Sequence, residues 1–299
     1  MRIIVLGSAA GGGFPQWNCA CPVCSKAWAG DPDVRPRTQS SIAVSADGES
    51  WLLLNASPDI RAQILATPAL RPARPGRHSP IAAVLLTNGD VDHVAGLLTL
   101  REKQPFVLYG TQTTLHVLRG DGVFGVLDRA VVEERPMRLD ARIDTGFGLV
   151  VTPFAVPGKV PLYLEGAEVD LGTETESVVA VEVTDGRTRF VYAPGCAAMT
   201  PALRRRLDGA PLLFFDGTTF TDDEMPRLGL SPKTARRMGH MPMSGPDGSM
   251  AALAGLGLGR RVYLHINNTN PVLIETSPER AEVEAAGWLV AHDGMEFEL

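Results

Sequence analysis

The stretch that most constrains the fold is a polar turn that follows a short apolar run. Residues 81–86, Ile-Ala-Ala-Val-Leu-Leu, have the length and the β-branched content of a buried strand. Asn88, Asp90 and Asp92 follow at alternate positions, with His93 immediately after them. Apolar residues continue with helical spacing, so the turn joins a strand to a helix. Carboxylates and an imidazole gathered at the carboxyl end of a strand suit a metal better than they suit a core.

Helix capping is the simpler explanation of the two aspartates, because Asp is a common residue at a helix N-cap. One cap uses one Asp, however, and Asn88 and His93 are then left without a role. The turn therefore favours a metal site over a capping function.

The composition is that of an ordinary globular chain without a basic surface. Of the 299 residues, 44% are apolar and 21% are charged, as in typical folded domains. The net charge of -6 and the pI of about 5.6 argue against nucleic acid or an anionic membrane as a partner. No run of about 18 apolar residues occurs, so no membrane span is predicted and a cytoplasmic location is the default expectation. Residues 1–7 begin like a signal peptide, but the glycines that follow favour a first strand.

Three of the four cysteines form a C-x-C-x-x-C triplet within a loop at about residues 17–26. Cys19, Cys21 and Cys24 lie within six residues, which is the reach of one tetrahedral zinc ion. Unligated thiols in an exposed loop would be prone to oxidation, so a structural zinc is the favoured interpretation. The sequence does not indicate the fourth ligand, for which Asn268 is one candidate.

Strand and helix signals alternate along the chain without an obvious boundary. Neither a repeat of 20 to 50 residues nor a low-complexity linker occurs. We predict one α/β domain over residues 1–299. The predicted strands are 2–7, 42–45, 51–54, 81–86, 106–109, 131–132, 148–156, 177–183, 188–192, 212–215 and 261–264, with two short strands after residue 286. The predicted helices are 58–67, 111–118, 201–207, 247–257 and 277–286.

These pieces together resemble the metallo-β-lactamase superfamily, whose fold is an αββα sandwich with metals at the sheet edges. The family motif H-x-H-x-D-H follows a strand, and residues 88–93 stand in its place with two of its four ligands. The third family His is missing where residues 156–159, Val-Pro-Gly-Lys, stand. The bridging Asp of the family falls at Gly195, and its closing His is present as His265.

The pattern of losses implies a centre with one metal. In the superfamily one metal is held by the three missing His, and the other by the Asp and His of the D-H pair with the closing His. The second set survives here as Asp92, His93 and His265. Two imidazoles and one carboxylate with open positions are the ligand set of non-haem Fe(II) centres that activate oxygen. A mononuclear oxidative site is therefore favoured, and a metal-dependent hydrolase is the alternative.

Four motifs in the same order resemble the pyrroloquinoline quinone (PQQ) biosynthesis protein B family across residues 1–299. They are G-S-A-A-G-G-G-F-P-Q-W-N-C-x-C-x-x-C, N-x-D-V-D-H-x-A-G-L-L, G-H-x-P-M-S-G and H-I-N-N-T-N-P. This resemblance implies Fe(II)- and O₂-dependent hydroxylation of the tyrosine-derived ring of a small Glu-Tyr precursor. Other PQQ-biosynthesis proteins are then candidate partners. The second function that it implies is a carrier that helps move PQQ towards the periplasm.

The same resemblance suggests roles for the residues around the centre. Asp90 is expected to be an extra ligand or a general base for a phenol proton, and Asn88 to form a hydrogen bond. His240 stands where related hydrolases carry an acid-base His, so it has a proton-transfer or substrate role unless it is only a satisfied His in its loop. Asp216 closes a buried strand beside two Phe and needs a partner, which we expect to be a ligand His.

A substrate built from Glu and Tyr carries several carboxylates, and cationic side chains would recognise them. Arg is the side chain best suited to bidentate carboxylate binding. Arg35, Arg37 and Lys159 are the candidates, although most charged residues are simply solvated.

Overall fold

The computed structural model of the chain describes residues 1–166 and 173–299, and two seven-stranded sheets form its centre. The strands are β1 Arg2–Gly7, β2 Ser41–Ser45, β3 Trp51–Leu54, β4 Ile81–Leu85, β5 Phe106–Thr111, β6 Val132–Met137, β7 Ile143–Asp144, β8 Val150–Pro157, β9 Glu174–Thr184, β10 Arg189–Ala193, β11 Leu212–Asp216, β12 Arg260–Leu264, β13 Trp288–Val290 and β14 Glu296–Glu298.

The helices are short and lie in the connections between strands. They are α1 Pro22–Trp28, α2 Ile60–Ala66, α3 Val91–Val94, α4 Gln112–Gly120, α5 Pro201–Leu207, α6 Glu224–Arg227, α7 Ser249–Ala252 and α8 Pro278–Ala285. The helix predicted over 247–257 was wrong in length, because only α7 forms there. Gly255 adopts a φ of +73°, a conformation that ends a helix, and two more glycines follow it at 257 and 259.

The strand order is β14-β1-β2-β3-β4-β5-β6 in one sheet and β13-β12-β11-β10-β9-β8-β7 in the other. In the first sheet β3, β4, β5 and β6 run parallel. In the second sheet β10, β11, β12 and β13 also run parallel. Each sheet therefore presents the carboxyl ends of several strands at one edge, which is where ligands bind in open α/β sheets.

Both faces of each sheet are covered by apolar side chains. In β1, Ile3 and Val5 belong to the core between the two sheets, whereas Ile4 and Leu6 face the outer helices. Strands buried on both faces have continuous apolar sequences, as the first strand does here. The layers are helix, sheet, sheet and helix, so the predicted αββα sandwich in a single domain is confirmed. Within the described ranges, no helix combines the length and the apolar character needed to cross a bilayer.

Candidate metal-dependent active site

The turn that contains Asn88 and Asp90 leaves β4 and enters α3 at Val91, with Asp90 at the N-cap. The Asp90 side chain makes no capping bond; its Oδ2 instead accepts a hydrogen bond from Asn88 Nδ2 at 2.9 Å. Capping therefore does not explain this Asp. The backbone holds the turn in place, because the His93 carbonyl accepts from Ala56 N–H at 2.7 Å. Position 96 requires glycine, because the Cβ of any other residue would lie 2.2 Å from the Ser57 carbonyl oxygen.

The structure brings Asp92, His93 and His265 together. Asp92 Oδ2 lies 3.0 Å from His265 Nε2 and 3.7 Å from His93 Nε2, and the three ligand atoms lie within 4.8 Å of one another. His265 follows β12 and adopts a left-handed φ of +58°. A bulky residue adopts that conformation at a cost, and such strain is concentrated at functional sites.

Hydrogen bonds to Nδ1 of both histidines direct their Nε2 atoms at the shared point. Asn88 Oδ1 lies 2.7 Å from His93 Nδ1. When Nδ1 donates this hydrogen bond, the buried His93 Nε2 carries a lone pair, and it has no hydrogen-bond partner among residues 1–166 and 173–299. The Thr218 hydroxyl donates to Asp216 at 2.7 Å and accepts from His265 Nδ1 at 3.0 Å. A cation that displaces the His265 Nε2 proton would meet two imidazole lone pairs and a carboxylate oxygen, a donor set that suits a metal.

The pKa shifts of Asp92, His93 and His265 are consistent with a metal site. Burial lowers the pKa of His93 to about 4, so its imidazole is neutral and able to bind a metal at pH 7. Burial acts to raise the pKa of Asp92, but His93 and His265 hold it below its ordinary value. Burial also acts to lower the pKa of His265, but its hydrogen bond to Asp92 raises it. A proton on His265 thus takes the place of a cation beside the Asp92 carboxylate.

Asp216 forms a direct hydrogen bond with His240, which was not predicted to bind the metal. Its fully buried carboxylate accepts from His240 Nδ1 at 2.6 Å and from the Cys196 backbone N–H at 2.9 Å. Burial acts to raise the pKa of Asp216, but His240 keeps it below its ordinary value. Asp216 is linked by hydrogen bonds to the expected ligand His265 through the Thr218 hydroxyl. His240 stacks on His265 with ring centroids 5.2 Å apart, and its Nε2 is the nitrogen available to a bound molecule.

A cavity of about 300 Å³ opens above these groups. Asp90, Asn88, Lys159 and Gly195 line it beside the three candidate ligands, Asp92, His93 and His265. Burial, and then repulsion from Asp92, raise the pKa of Asp90 to about 6. This carboxylate is therefore more basic than an exposed Asp and still mostly ionised at pH 7.

Arg35 and Arg37 lie elsewhere. They line a separate depression, in which Arg35 forms a 2.7 Å ion pair with Glu275. Arg37 is buried and donates from Nε to the Ala291 carbonyl at 3.1 Å, so it anchors the carboxyl-terminal segment. This placement corrects the sequence interpretation: of the three cations expected to bind substrate, the cavity contains only Lys159.

The three cysteines of the amino-terminal loop also lie together. The Sγ atoms of Cys19, Cys21 and Cys24 lie within 4.8 Å of one another, because Cys21 caps α1 and brings Cys24 one turn later. Burial raises the pKa of Cys21 to about 12 and also raises that of Cys24. Asn268 contacts the cluster, since its Nδ2 donates to Cys24 Sγ at 3.2 Å. A zinc site with Asn268 nearby stays a prediction for these residues.

Sequence reasoning missed two kinds of residue at the cavity. Thr218 links Asp216 to His265, and its position two residues after Asp216 is the one available signal for such a side-chain bond. Lys233 and Met238 also line the cavity, but nothing in the sequence distinguishes them from other surface residues.

Comparison with known proteins shows relatives over the full length. A model of the beta-lactamase superfamily domain matches residues 50–266. Coenzyme PQQ synthesis protein B of Methylobacterium sp. (strain 4-46) is 60% identical, and that of Xanthomonas oryzae pv. oryzae (strain MAFF 311018) is 54% identical, each over all of both chains.

Solved structures agree with that relationship. The crystal structure of Zn(2+)-bound PqqB from Methylobacterium extorquens is 59% identical, covers all of both chains and has a TM-score of 0.98. A diphosphatase of the PhnP family, 24% identical over 100% of this chain and 98% of its own, has a TM-score of 0.72 and shows the shared fold alone. The chain therefore belongs to the beta-lactamase superfamily and, within it, to the coenzyme PQQ synthesis protein B family.

Proposed function

We propose that this chain catalyses iron- and O₂-dependent hydroxylation of the tyrosine-derived ring of a Glu-Tyr precursor during PQQ synthesis. The observation that carries the proposal is the convergence of two imidazole nitrogens and one carboxylate oxygen beside an open cavity. This donor set is that of non-haem iron centres that activate oxygen. The names of the full-length relatives support the pathway.

The ligand atoms of Asp216, His240 and His265 also lie within 4.8 Å of one another, but this set shares His265 with the first, so one metal fits the cavity better than two. Asn88 is a neutral amide where the superfamily has an imidazole, and Gly195 offers no bridging carboxylate. Lys159 lines the same cavity, and its ammonium group would repel a second cation. The hydrolases of the superfamily use two metals, so these three residues argue against a hydrolytic reaction.

Asp92, His93 and His265 would hold the iron, which when bound supplies the binding and activation of O₂. Asn88 and Thr218 keep the two imidazoles in the tautomers that present Nε2. The relative from Methylobacterium extorquens is described as Zn(2+)-bound. Zinc accepts the same nitrogen and oxygen donors as iron, so the metal in a preparation depends on what was supplied.

Two side chains would handle protons at the ring. Asp90 lines the cavity as a carboxylate of raised pKa, which suits it to accept a phenolic proton. His240 is oriented by its 2.6 Å hydrogen bond to Asp216, so its other nitrogen can give a proton to the cavity or take one from it.

The test combines metal counting with isotope labelling. Protein loaded anaerobically with Fe(II) is analysed for metal, mixed with the crosslinked Glu-Tyr precursor and with ascorbate, and then exposed to ¹⁸O₂. Ascorbate supplies the two electrons that reduce the second oxygen atom to water. We expect one metal per chain outside the cysteine cluster, and product that contains ¹⁸O. His93→Ala should lose that metal and the product. His116→Ala, on the exposed side of α4, is the matched control and should keep both.

Two results would contradict the proposal. Two metals per chain outside the cysteine cluster, with product formed under strictly anaerobic conditions, would indicate a hydrolase. Stoichiometric binding of PQQ with no O₂ consumed in the presence of precursor would indicate the carrier.

A further inference from the structure

Three cations surround one carboxylate beside the metal cavity. Glu165 Oε1 lies 2.6 Å from Lys159 Nζ, and Glu165 Oε2 lies 3.2 Å from Arg237 Nη2 and 3.6 Å from Lys233 Nζ. The side chains of Glu165 and Lys159 are only 9% and 13% exposed, so water screens this pair weakly. The contacts with Glu165 show that these cations are arranged to bind a carboxylate.

One carboxylate does not neutralise this cluster. Arg237 and Lys233 share the single oxygen Oε2 of Glu165, and among residues 1–166 and 173–299 no other carboxylate lies within 4.0 Å of the three cations. Arg237 Nη1 is buried without a hydrogen-bond partner in the same ranges. The described part of the cluster therefore has two positive charges in excess, which favours a second anion nearby.

The cluster opens into the cavity of the metal centre. Lys159 and Lys233 line that cavity together with the apolar side chains of Leu162 and Met238. The Lys159 stem lies against Gly239, where an added Cβ would come within 3.0 Å of Lys159 Cγ. Since Gly239 also has a φ of +89°, this position requires glycine, and the lysine is confined between it and Glu165.

We infer that Lys159 and Lys233 form a subsite for a carboxylate of the substrate, and that they select aromatic compounds carrying such a group. Glu165 is the positioning residue that gathers the cations without saturating them. Asp92, His93, His265 and the two lysines line the same cavity, so a ring with a carboxylate arm can reach both groups. The identity of the ring rests on the proposed function, whereas the charge selection rests on the cation cluster.

Two catechols that differ by one carboxylate test this subsite. Zn(II)-loaded protein is titrated calorimetrically with 3-(3,4-dihydroxyphenyl)propanoate and with 4-ethylcatechol. We expect the propanoate to bind about tenfold more tightly, as one charge-assisted contact allows. The double variant Lys159→Gln/Lys233→Gln should reduce that preference to below about twofold, because it weakens binding of the propanoate more than binding of 4-ethylcatechol.

Three further variants make the result decisive. Lys233→Arg should keep the preference, because it keeps the charge. Lys103→Gln, which removes an exposed lysine paired with Asp128, should also keep it and controls for net charge. If the double variant does not fold, Lys233→Gln alone should lower the preference about threefold, since this side chain is 34% exposed and does not support the fold.

A tenfold preference that persists in the folded double variant, or in Lys233→Gln alone, would overturn the subsite. Equal binding of the two catechols by the native protein would do the same. Neither titration involves iron, O₂ or turnover, so absence of ¹⁸O incorporation would refute the proposed function and leave the subsite standing. Refutation of the subsite would likewise leave the result of the ¹⁸O₂ experiment unaffected.

Discussion

Asn88 orients the imidazole of His93, so replacing it by Ala tests whether His93 is a metal ligand. Asn88 Oδ1 accepts from His93 Nδ1 at 2.7 Å and from the Asp90 backbone N–H at 3.1 Å. Its Nδ2 donates to Asp90 Oδ2 at 2.9 Å. Asn88→Ala removes all three bonds and frees the His93 ring to rotate or to change tautomer.

The expected loss of metal affinity follows from the role of a residue that forms a hydrogen bond with a metal-bound His. Removing the hydrogen-bond acceptor of a metal-bound His costs about 10- to 100-fold in metal affinity, or about 1.4 to 2.7 kcal/mol. Asn88 is only 6% exposed, so water cannot easily take its place. We therefore expect a loss of about 30-fold. The three cysteines should be unaffected, because none of them contacts this turn.

The assay is competition with a chelator of known affinity, and zinc at the predicted cysteine site is counted separately. Asn18→Ala is the matched control, because Asn18 is exposed and accepts a 2.7 Å hydrogen bond from the nearby Gln16. If Asn88→Ala binds metal within twofold of the native chain while His93→Ala does not, Asn88 does not orient the ligand. If neither variant loses metal, His93 is not a ligand and the assignment of the centre is refuted.

Three more substitutions test the rest of the structure. Burial raises the pKa of Glu224 to about 7, so its contribution to stability is complete below about pH 4.5 and is lost as the pH rises through 7. The unfolding free energy of the native chain, measured in urea, should fall between pH 5 and pH 8, and Glu224→Gln should make that fall smaller by about 2 to 3 kcal/mol. An equal fall in the variant and the native chain would contradict the raised pKa. Cys24→Ser should lose one zinc per chain by elemental analysis and lower the unfolding temperature; full zinc retention would exclude this thiol as a ligand. Tyr263→Phe leaves the buried Ser249 hydroxyl without its 2.7 Å partner and should cost about 1 to 2 kcal/mol of unfolding free energy, which denaturant titration measures.

The strands were predicted well because they are buried on both faces. The continuous apolar runs of β4 and β11 need no knowledge of their neighbours, and both appear where the sequence placed them. The helix over 247–257 was overextended, because small residues suit a helix and a glycine-rich loop equally well.

The sequence by itself determined those residue clusters whose members are close together in the chain. The three cysteines lie within six residues, and Asp92 and His93 are adjacent, so a short turn keeps each set together whatever surrounds it. Their donor chemistry, thiolate in one case and imidazole with carboxylate in the other, indicated metals before any fold was known.

The tertiary structure decided which distant residues join those groups. His265 is 173 positions from Asp92, and only the meeting of the carboxyl ends of β4 and β12 brings the two side chains within 3.0 Å. The same edge brings Lys233 and Arg237 to Glu165 and leaves Arg35 and Arg37 on another surface. A charged side chain carries no local signal of its neighbours, because its interaction energy depends on distance and burial, and these exist only after the sheets have packed.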